Sequence, residues 1–442
     1  MQQHRSTEAS GRGITRRTVI AGIAGATVTL IGCGNARSGR QRVRFWAVGR
    51  EGEVATQLIQ GFVTAHPDIE VEVQRLPFTA AHEKLLTAYA GDTLPDLCQL
   101  GNTWVPEFAA LNALEPLDAR VAASGAVDAS DYFAEFLNSN RVDAALYGLP
   151  WYVDTRLLYY RRDLLQQAGF DAPPTSWAEW EAMLGAIKKL GGNDKFSVLL
   201  PINEFEPLLV MALQQPSEVL RDSGRWGNFR SDDFKRAMNF YKGIFDRGWA
   251  PRATNTQISN VWDEFGKGYF SFYISGPWNI AEFKSRLPAN LQDAWMTAPM
   301  PGPNGPGVSS AGGSSLVVFR SSPVKDAAWQ LAEYLSLPQT QSHFYDLTGN
   351  MPPRRSSWKI PALVQSSYAR AFHEQLDRVR SPPKVPEWER IATEMRLAGE
   401  RVVQGAQTVD EAVADLDRKT DAILEKRRWM LDRAAHAGKG AA

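Results

Sequence analysis

The order of apolar and polar positions gives the first account of this chain. Residues 42–49 (RVRFWAVG) are a largely apolar run closed by Gly49 and read as a strand. Val54, Leu58 and Phe62 recur at helical spacing within 51–65, which predicts an amphipathic helix ended by His66-Pro67. Ile69, Val71 and Val73 alternate with Glu70 and Glu72, the pattern of a half-buried strand. AAHEKLLTAYA predicts a second helix broken at Gly91, LPDLCQLG a third strand and TWVPEFAALN a short helix. This β-α-β-α-β order predicts a parallel α/β lobe. Ligands bind such sheets beyond the carboxyl ends of the strands, here Gly49-Arg50-Glu51 and Gly101-Asn102-Thr103-Trp104.

The stretch 145–163 (ALYGLPWYVDTRLLYYRRD) differs in texture. Tyr147, Trp151, Tyr152, Tyr159 and Tyr160 crowd around Asp154 in a run that is otherwise apolar and β-prone from Leu149 to Tyr160. A strand's period of two puts Tyr152 and Asp154 on one face and Trp151 and Val153 on the other. Rings beside an acceptor carboxylate suit a neutral polyhydroxylated ligand; an ordinary sheet strand with core aromatics and one paired Asp gives the same pattern. Further on, Thr175 or Ser176 caps a helix that Gly191-Gly192 stops, with Glu179 placed for a capping box. FSVLLPIN (196–203) reads as a strand, and helices are predicted in NEFEPLLVMALQQ and SDDFKRAMNFYKGIFDRG. The run Tyr269 to Ile274 is a strand, and Gly276-Pro277-Trp278 opens a helix with Pro277 at its first position. A Gly/Pro/Ser connector (298–315) leads into the strand SLVVF and a helix from Lys325. TGNMPPRRSSW is another break, and the tail from Glu387 is helical.

Composition widens the picture only modestly. With 442 residues, 44% hydrophobic and 22% charged, the chain has core for two or three domains. Its 49 basic and 49 acidic residues balance, which argues against a nucleic-acid face. The two cysteines, Cys33 and Cys98, allow neither a disulfide framework nor a Cys-based zinc site in a mature chain. The first 40 residues are a different material. Arg16-Arg17 precede a short apolar run, Val19 to Ile31, laid out as a signal peptide and too short to span a bilayer. The Arg pair resembles a twin-arginine export signal, a Sec signal being the alternative. LIGC resembles the bacterial lipobox, so residues 1–33 are expected to be a signal peptide, Cys33 an acylated anchor and 34–41 a flexible tether.

The chain carries no GxSxG, HExxH, P-loop or dinucleotide fingerprint, and its six His are scattered, so no metal site or cofactor is expected. A glycosidase-type carboxylate pair stays open, since no spacing singles one out. What recurs is aromatic and polar residues at element ends: Trp46, Trp104, Trp151, Tyr152, Trp278 and Trp358, with Glu51, Glu53, Asn102, Asp154 and Arg354. That recurrence favours a polar-aromatic cleft, in which each buried sugar hydroxyl needs a partner or costs about 1–3 kcal/mol.

These stretches together resemble the extracellular solute-binding proteins of bacterial ABC importers, in the carbohydrate-binding cluster and nearest its maltose/trehalose branch. The resemblance covers about 42–425 and rests on LPDLCQLGNTWVPEFAALNALEPLD, GLPWYVDTRLLYYRRDLL, GFDAPPTSWAEW, KGYFSFYISGPWNI, AGGSSLVV, TGNMPPRRS and QTVDEAV. It implies an α/β, two-lobed periplasmic-binding-protein fold (type II), each lobe a mainly parallel sheet flanked by helices, closing on a sugar between them. It implies lobe one as 42–149 plus 315–348 and lobe two as 150–314 plus 349–430, with crossings near Pro150, Ser314 and Thr348–Pro352. It puts Asp154 at an acidic hinge position with Tyr152 beside it, Trp278 where an aromatic stacks on a pyranose, and Gly312, Gly313 and Ser314 at the second crossing. Arg354 falls near the ligand, and Glu51 or Glu53, Asn102 and Trp104 on first-lobe loops. Gly101-Asn102 stands where relatives often have Asp, and Ser314 where some carry Trp. The implied function is non-enzymatic: a monomeric, lipid-anchored, exported binding protein that delivers a di- or oligosaccharide such as maltose or trehalose to a membrane permease. The rivals are a secreted glycoside-active enzyme and the same scaffold holding a glycerophosphodiester or polyol.

Overall fold

The computed structural model describes residues 39–439 other than Ser259, so the signal peptide, Cys33 and most of the tether lie outside the described residues. Two sheets organise the rest. Their strands are β1 (Gln41–Val48), β2 (Ile69–Leu76), β3 (Leu97–Gly101), β4 (Leu149–Asp154), β5 (Leu157–Arg161), β6 (Val198–Leu199), β7 (Phe272–Ser275), β8 (Trp295–Ala298) and β9 (Gly312–Val318). The first sheet has the order β2-β1-β3-β9-β4 and the second β8-β5-β7-β6.

In the first sheet β1 pairs parallel with β2 and β3, as the β-α-β-α-β reading predicts. β9 runs against both β3 and β4. In the second sheet β5 runs against both β7 and β8, while β6 and β7 are parallel. Each sheet thus has one reversed strand, and in the second sheet this leaves one parallel pairing where a mainly parallel sheet was expected. The cause is connectivity. β5 enters the second sheet straight from the end of β4, without a helical crossover, so it starts at the edge where its neighbours finish.

Both sheets are covered on both faces, as their long apolar runs require. Leu157 and Tyr159 of β5 pack with Phe283, Trp295 and Phe372. Leu158 and Tyr160 point the other way, among Trp180, Phe272 and Trp388. In the first sheet Phe45, Leu97 and Trp151 face Trp329 and Phe344, whereas Trp46, Cys98 and Leu100 face Leu85 and Phe108.

Several local expectations need revision. The helix predicted over 51–65 is two helices, Gly49–Leu58 and Gln60–Ala65. The run Leu149 to Tyr160 is two strands parted by Thr155-Arg156. The strand expected in 196–203 shrinks to Val198–Leu199. The helix after Gly276 begins at Asn279 with Trp278 as its N-cap, so Pro277 precedes it. The last residues of the Gly/Pro/Ser connector belong to β9. Ser176 does cap the Trp177–Gly191 helix in a full capping box with Glu179. Among the described residues no helix is long and apolar enough to cross a membrane, and no group of three or more His, Cys, Asp or Glu is arranged to hold a metal ion.

Candidate functional site

Strand direction brings the polar residues together. The carboxyl ends of β1, β3 and β4 lead to Glu51, Asn102–Trp104 and Asp154, and β9 starts at the same edge with Gly312–Ser314. In the second sheet the carboxyl ends of β6 and β7 lead to Glu204–Glu206 and Gly276–Trp278. Only Thr155 and Arg156 separate β4 from β5. At ~3.3–3.6 Å per residue that link spans at most roughly 10 Å, so the two edges lie side by side.

On the first-sheet side a hydrogen-bonded chain fixes the floor. The Val48 amide donates to Gln99 Oε1 (2.7 Å), Gln99 Nε2 donates to Ser314 Oγ (3.3 Å), and Ser314 Oγ donates to Tyr152 Oη (3.0 Å). Glu51 Oε1 accepts from Asn350 Nδ2 at 2.6 Å. Burial holds the Glu51 carboxyl above the usual carboxylate range, against the pull of its own backbone amide, Asn350 and Gln99. The Tyr152 hydroxyl is pushed up in turn, by burial first and by the neighbouring Glu51 charge second.

The alternation expected of 151–154 holds. Trp151 and Val153 are buried, and Tyr152 and Asp154 are half-buried. Asp154 meets Arg156, whose Nη1 donates to both carboxylate oxygens at 2.7 and 2.9 Å. Arg156 Nη2 donates to Glu206 Oε1 at 3.1 Å, and the guanidinium carbon lies 4.8 Å from the centre of the Trp278 ring. Burial raises the Asp154 pKa; Arg156 opposes that rise without cancelling it.

Trp278 is 38% exposed, the one wide aromatic surface in this cluster. Its indole folds back over Gly276, where a Cβ would come within 1.9 Å of the ring. The turn beneath it is anchored. Tyr159 Oη donates to the Gly276 carbonyl (2.6 Å), Asn279 Nδ2 to Ser275 Oγ (2.6 Å), and Trp262 Nε1 to Asn279 Oδ1 (2.8 Å). Beside the indole lies a cavity of about 680 Å³, lined among others by Glu51, Trp278, Tyr345, Thr348 and Asn350. That volume falls within the ~300–1,000 Å³ of small-molecule sites.

The structure therefore brings Glu51, Tyr152, Asp154, Trp278, Gly312, Gly313 and Ser314 to one place, and leaves others aside. Glu53 is on the surface, paired with Arg50 and Arg75. Asn102 is buried and acts as a strut: its Nδ2 donates to the Ala311 carbonyl (3.0 Å) and its amide to that of Gly313 (3.2 Å). Trp104 is 9% exposed and packs between Phe78 and His82. Arg354, expected beside the ligand, is instead buried: Nε donates to Asp131 (2.7 Å) and Nη1 to the carbonyls of Ala126 and Ser336 (2.9 Å each). Its charge serves the fold, because Asp131 and two carbonyls already satisfy those donors.

Sequence reasoning missed Arg156, Glu206, Gln99 and Asn350. Arg156 carried a usable signal, two residues from Asp154 in an apolar run, but its partner Glu206 lies 50 residues on. A contact from the loop after β3 to the helix Trp388–Val403 was missed as well: Thr103 Oγ1 donates to Glu389 Oε1 at 2.7 Å.

An edge-to-edge site of this kind, between two α/β sheets that meet at the short link Thr155-Arg156, is the architecture of a two-lobed solute-binding protein. The chain belongs to the bacterial extracellular solute-binding protein family, whose profile matches residues 57–370. Among solved structures it is similar to the sugar-binding protein MalE of the phytopathogen Xanthomonas citri, with 55% identity, a TM-score of 0.86, and 89% of this chain and 99% of that one covered. It is also similar to the GacH receptor of Streptomyces glaucescens, solved unliganded and with acarbose, at 25% identity, a TM-score of 0.75 and coverage of 87% and 99%. The galactooligosaccharide-binding protein of Bacillus subtilis is 25% identical over 386 residues, 84% of this chain and 85% of the relative.

Proposed function

We propose that this protein is the substrate-binding component of an ABC sugar importer and that it holds a di- or oligosaccharide, an α-glucoside such as maltose or trehalose, between its lobes. The observation that carries this reading is the half-exposed Trp278 indole beside a cavity rimmed by Glu51, with Tyr152 and Asp154 on the same edge. A ring surface takes the C–H face of a pyranose, and carboxylates and a tyrosine take its hydroxyls. Relatives whose names specify sugars support the class. The wall around Arg156 sets three carboxylates, Asp154, Glu204 and Glu206, about one guanidinium, which opposes an anionic ligand such as a glycerophosphodiester.

In this reading lobe one is built on the first sheet and lobe two on the second. The expected crossings at Pro150 and Ser314 move to Thr155-Arg156 and to the segment before Gly312, because Leu149–Asp154 and Gly312–Val318 both pair within the first sheet. Closure is driven by contacts the sugar makes with both lobes. The protein is exported, anchored through acylated Cys33 as a monomer, and hands its ligand unchanged to a membrane permease. Calorimetric titration with maltose, trehalose and glycerophosphocholine, followed by recovery of the ligand, tests it. Micromolar or tighter binding of an intact disaccharide is expected. Hydrolysis of the sugar, or preference for the phosphodiester, overturns it.

A further inference from the structure

We propose that Arg156 is the positioning residue of this site, the group that fixes both the acceptor carboxylate of Asp154 and the indole of Trp278 for the ligand. The inference rests on the saccharide reading above and deepens it. Arg156 sits on the two-residue link between the sheets, and its carbonyl accepts from Ser309 Oγ at 2.5 Å, which pins the link itself. From there the guanidinium reaches three ways. Two hydrogen bonds run to Asp154 at the end of β4, one runs to Glu206 beyond β6, and its face lies against Trp278 beyond β7. One side chain thereby ties a residue of the first sheet's edge to two residues of the second's.

The geometry specifies what Arg156 does. The Asp154 and Arg156 side chains are 17% and 18% exposed, too little for water to fix the carboxylate's direction. Both Asp154 oxygens accept from one nitrogen, so the outward lone pairs of the carboxylate have a set orientation. The groups around this pair are Glu204, Glu206, Tyr152, Tyr159 and Tyr273, none of them a second cation. Gly276 backs the indole and Arg156 flanks it, so the angle of the stacking surface is set by these two residues. Lysine keeps the charge but cannot grip a carboxylate, a second carboxylate and a ring at once.

The test compares wild type with Arg156→Met and Arg156→Lys in two measurements. The first needs no ligand: the Asp154 carboxyl is titrated by carbon-13 NMR, assigned through Asp154→Asn. Loss of the guanidinium is expected to raise the Asp154 midpoint by about 1–3 pH units in Arg156→Met and to leave it near wild type in Arg156→Lys. The second is calorimetry with the disaccharide that wild type binds, at pH 5.5 and 8. Arg156→Met is expected to lose about thirtyfold in affinity at pH 8 and to lose more at pH 5.5, in the direction of its raised Asp154 midpoint. Arg156→Lys is expected to lose about fivefold with the wild-type pH profile. An unmoved Asp154 midpoint in Arg156→Met overturns the proposal whether or not sugar binds. Binding in Arg156→Met within about threefold of wild type at both pH values overturns it too. Should wild type bind none of the sugars, the saccharide reading fails and the titration still decides the role of Arg156. If Arg156→Met does not fold, Arg156→Lys decides, and wild-type affinity in it contradicts the geometric claim.

Discussion

At the scale of single residues, exposure and partners separate binding roles from structural ones. Trp278 has a large free surface and little core to lose. Trp278→Ala should weaken saccharide binding by more than about tenfold, roughly 1.4 kcal/mol, with the melting temperature nearly unchanged. Calorimetry paired with thermal unfolding checks this. Arg354 should behave oppositely. It is buried and joins Asp131 to two carbonyls, so Arg354→Ala removes three hydrogen bonds and leaves the half-buried Asp131 with Ser356 alone, which should cost about 1–3 kcal/mol of stability. Denaturant unfolding would show that loss, and an unchanged Kd in the folded variant would separate this role from the ligand contact its motif implied. The contrast shows why the sequence alone did not separate the exposed Trp278 from the buried Arg354. Both are polar-tipped or aromatic residues at breaks, and a break does not reveal which way a side chain turns.

At the scale of elements, what depends on neighbours in the chain was legible and what depends on remote pairing was not. The Ser176–Glu179 capping box and the separate strands β1, β2 and β3 follow from patterns a few positions long. The split of Leu149–Tyr160 was hidden, because no Gly or Pro marks Thr155-Arg156 as a link between sheets. The start of β9 was hidden by its own glycines, which read as connector. There Gly313 has φ +125°, and a Cβ on it would lie 2.3 Å from the Tyr152 carbonyl oxygen. Gly313→Ala should therefore disrupt the β9–β4 pairing and lower both the melting temperature and the affinity, whereas Trp278→Ala lowers affinity alone. His82, on the helix Phe78–Ala90 between β2 and β3, offers a pH test. Its hydrogen bond with Glu107 comes first among the causes that lift His82 above the ordinary imidazole range, with Glu389 and Glu83 adding to it. A raised histidine contributes its full stability below pH about 6.5 and loses it as pH rises through the folded pKa. His82→Gln should therefore lower the melting temperature more at pH 6 than at pH 9, and an equal loss at both would contradict the pairing.

At the scale of the whole molecule, two sheets bring their edges together at the two-residue link Thr155-Arg156. That arrangement brings residues of both sheets to one edge, Glu51 and Tyr152 on one side and Trp278 on the other, and under the proposed function a ligand there reaches both. A ligand shifts such a molecule toward closure only through contacts that exist in the closed form. A sugar that touched one edge alone would bind without closing it. The measurement that tests this most directly is a crystal structure of the protein with the disaccharide it binds. The account predicts a pyranose against the Trp278 indole with hydroxyls on Asp154 and on Glu51 or Tyr152. A sugar seated on one lobe only, or away from Trp278, would contradict it.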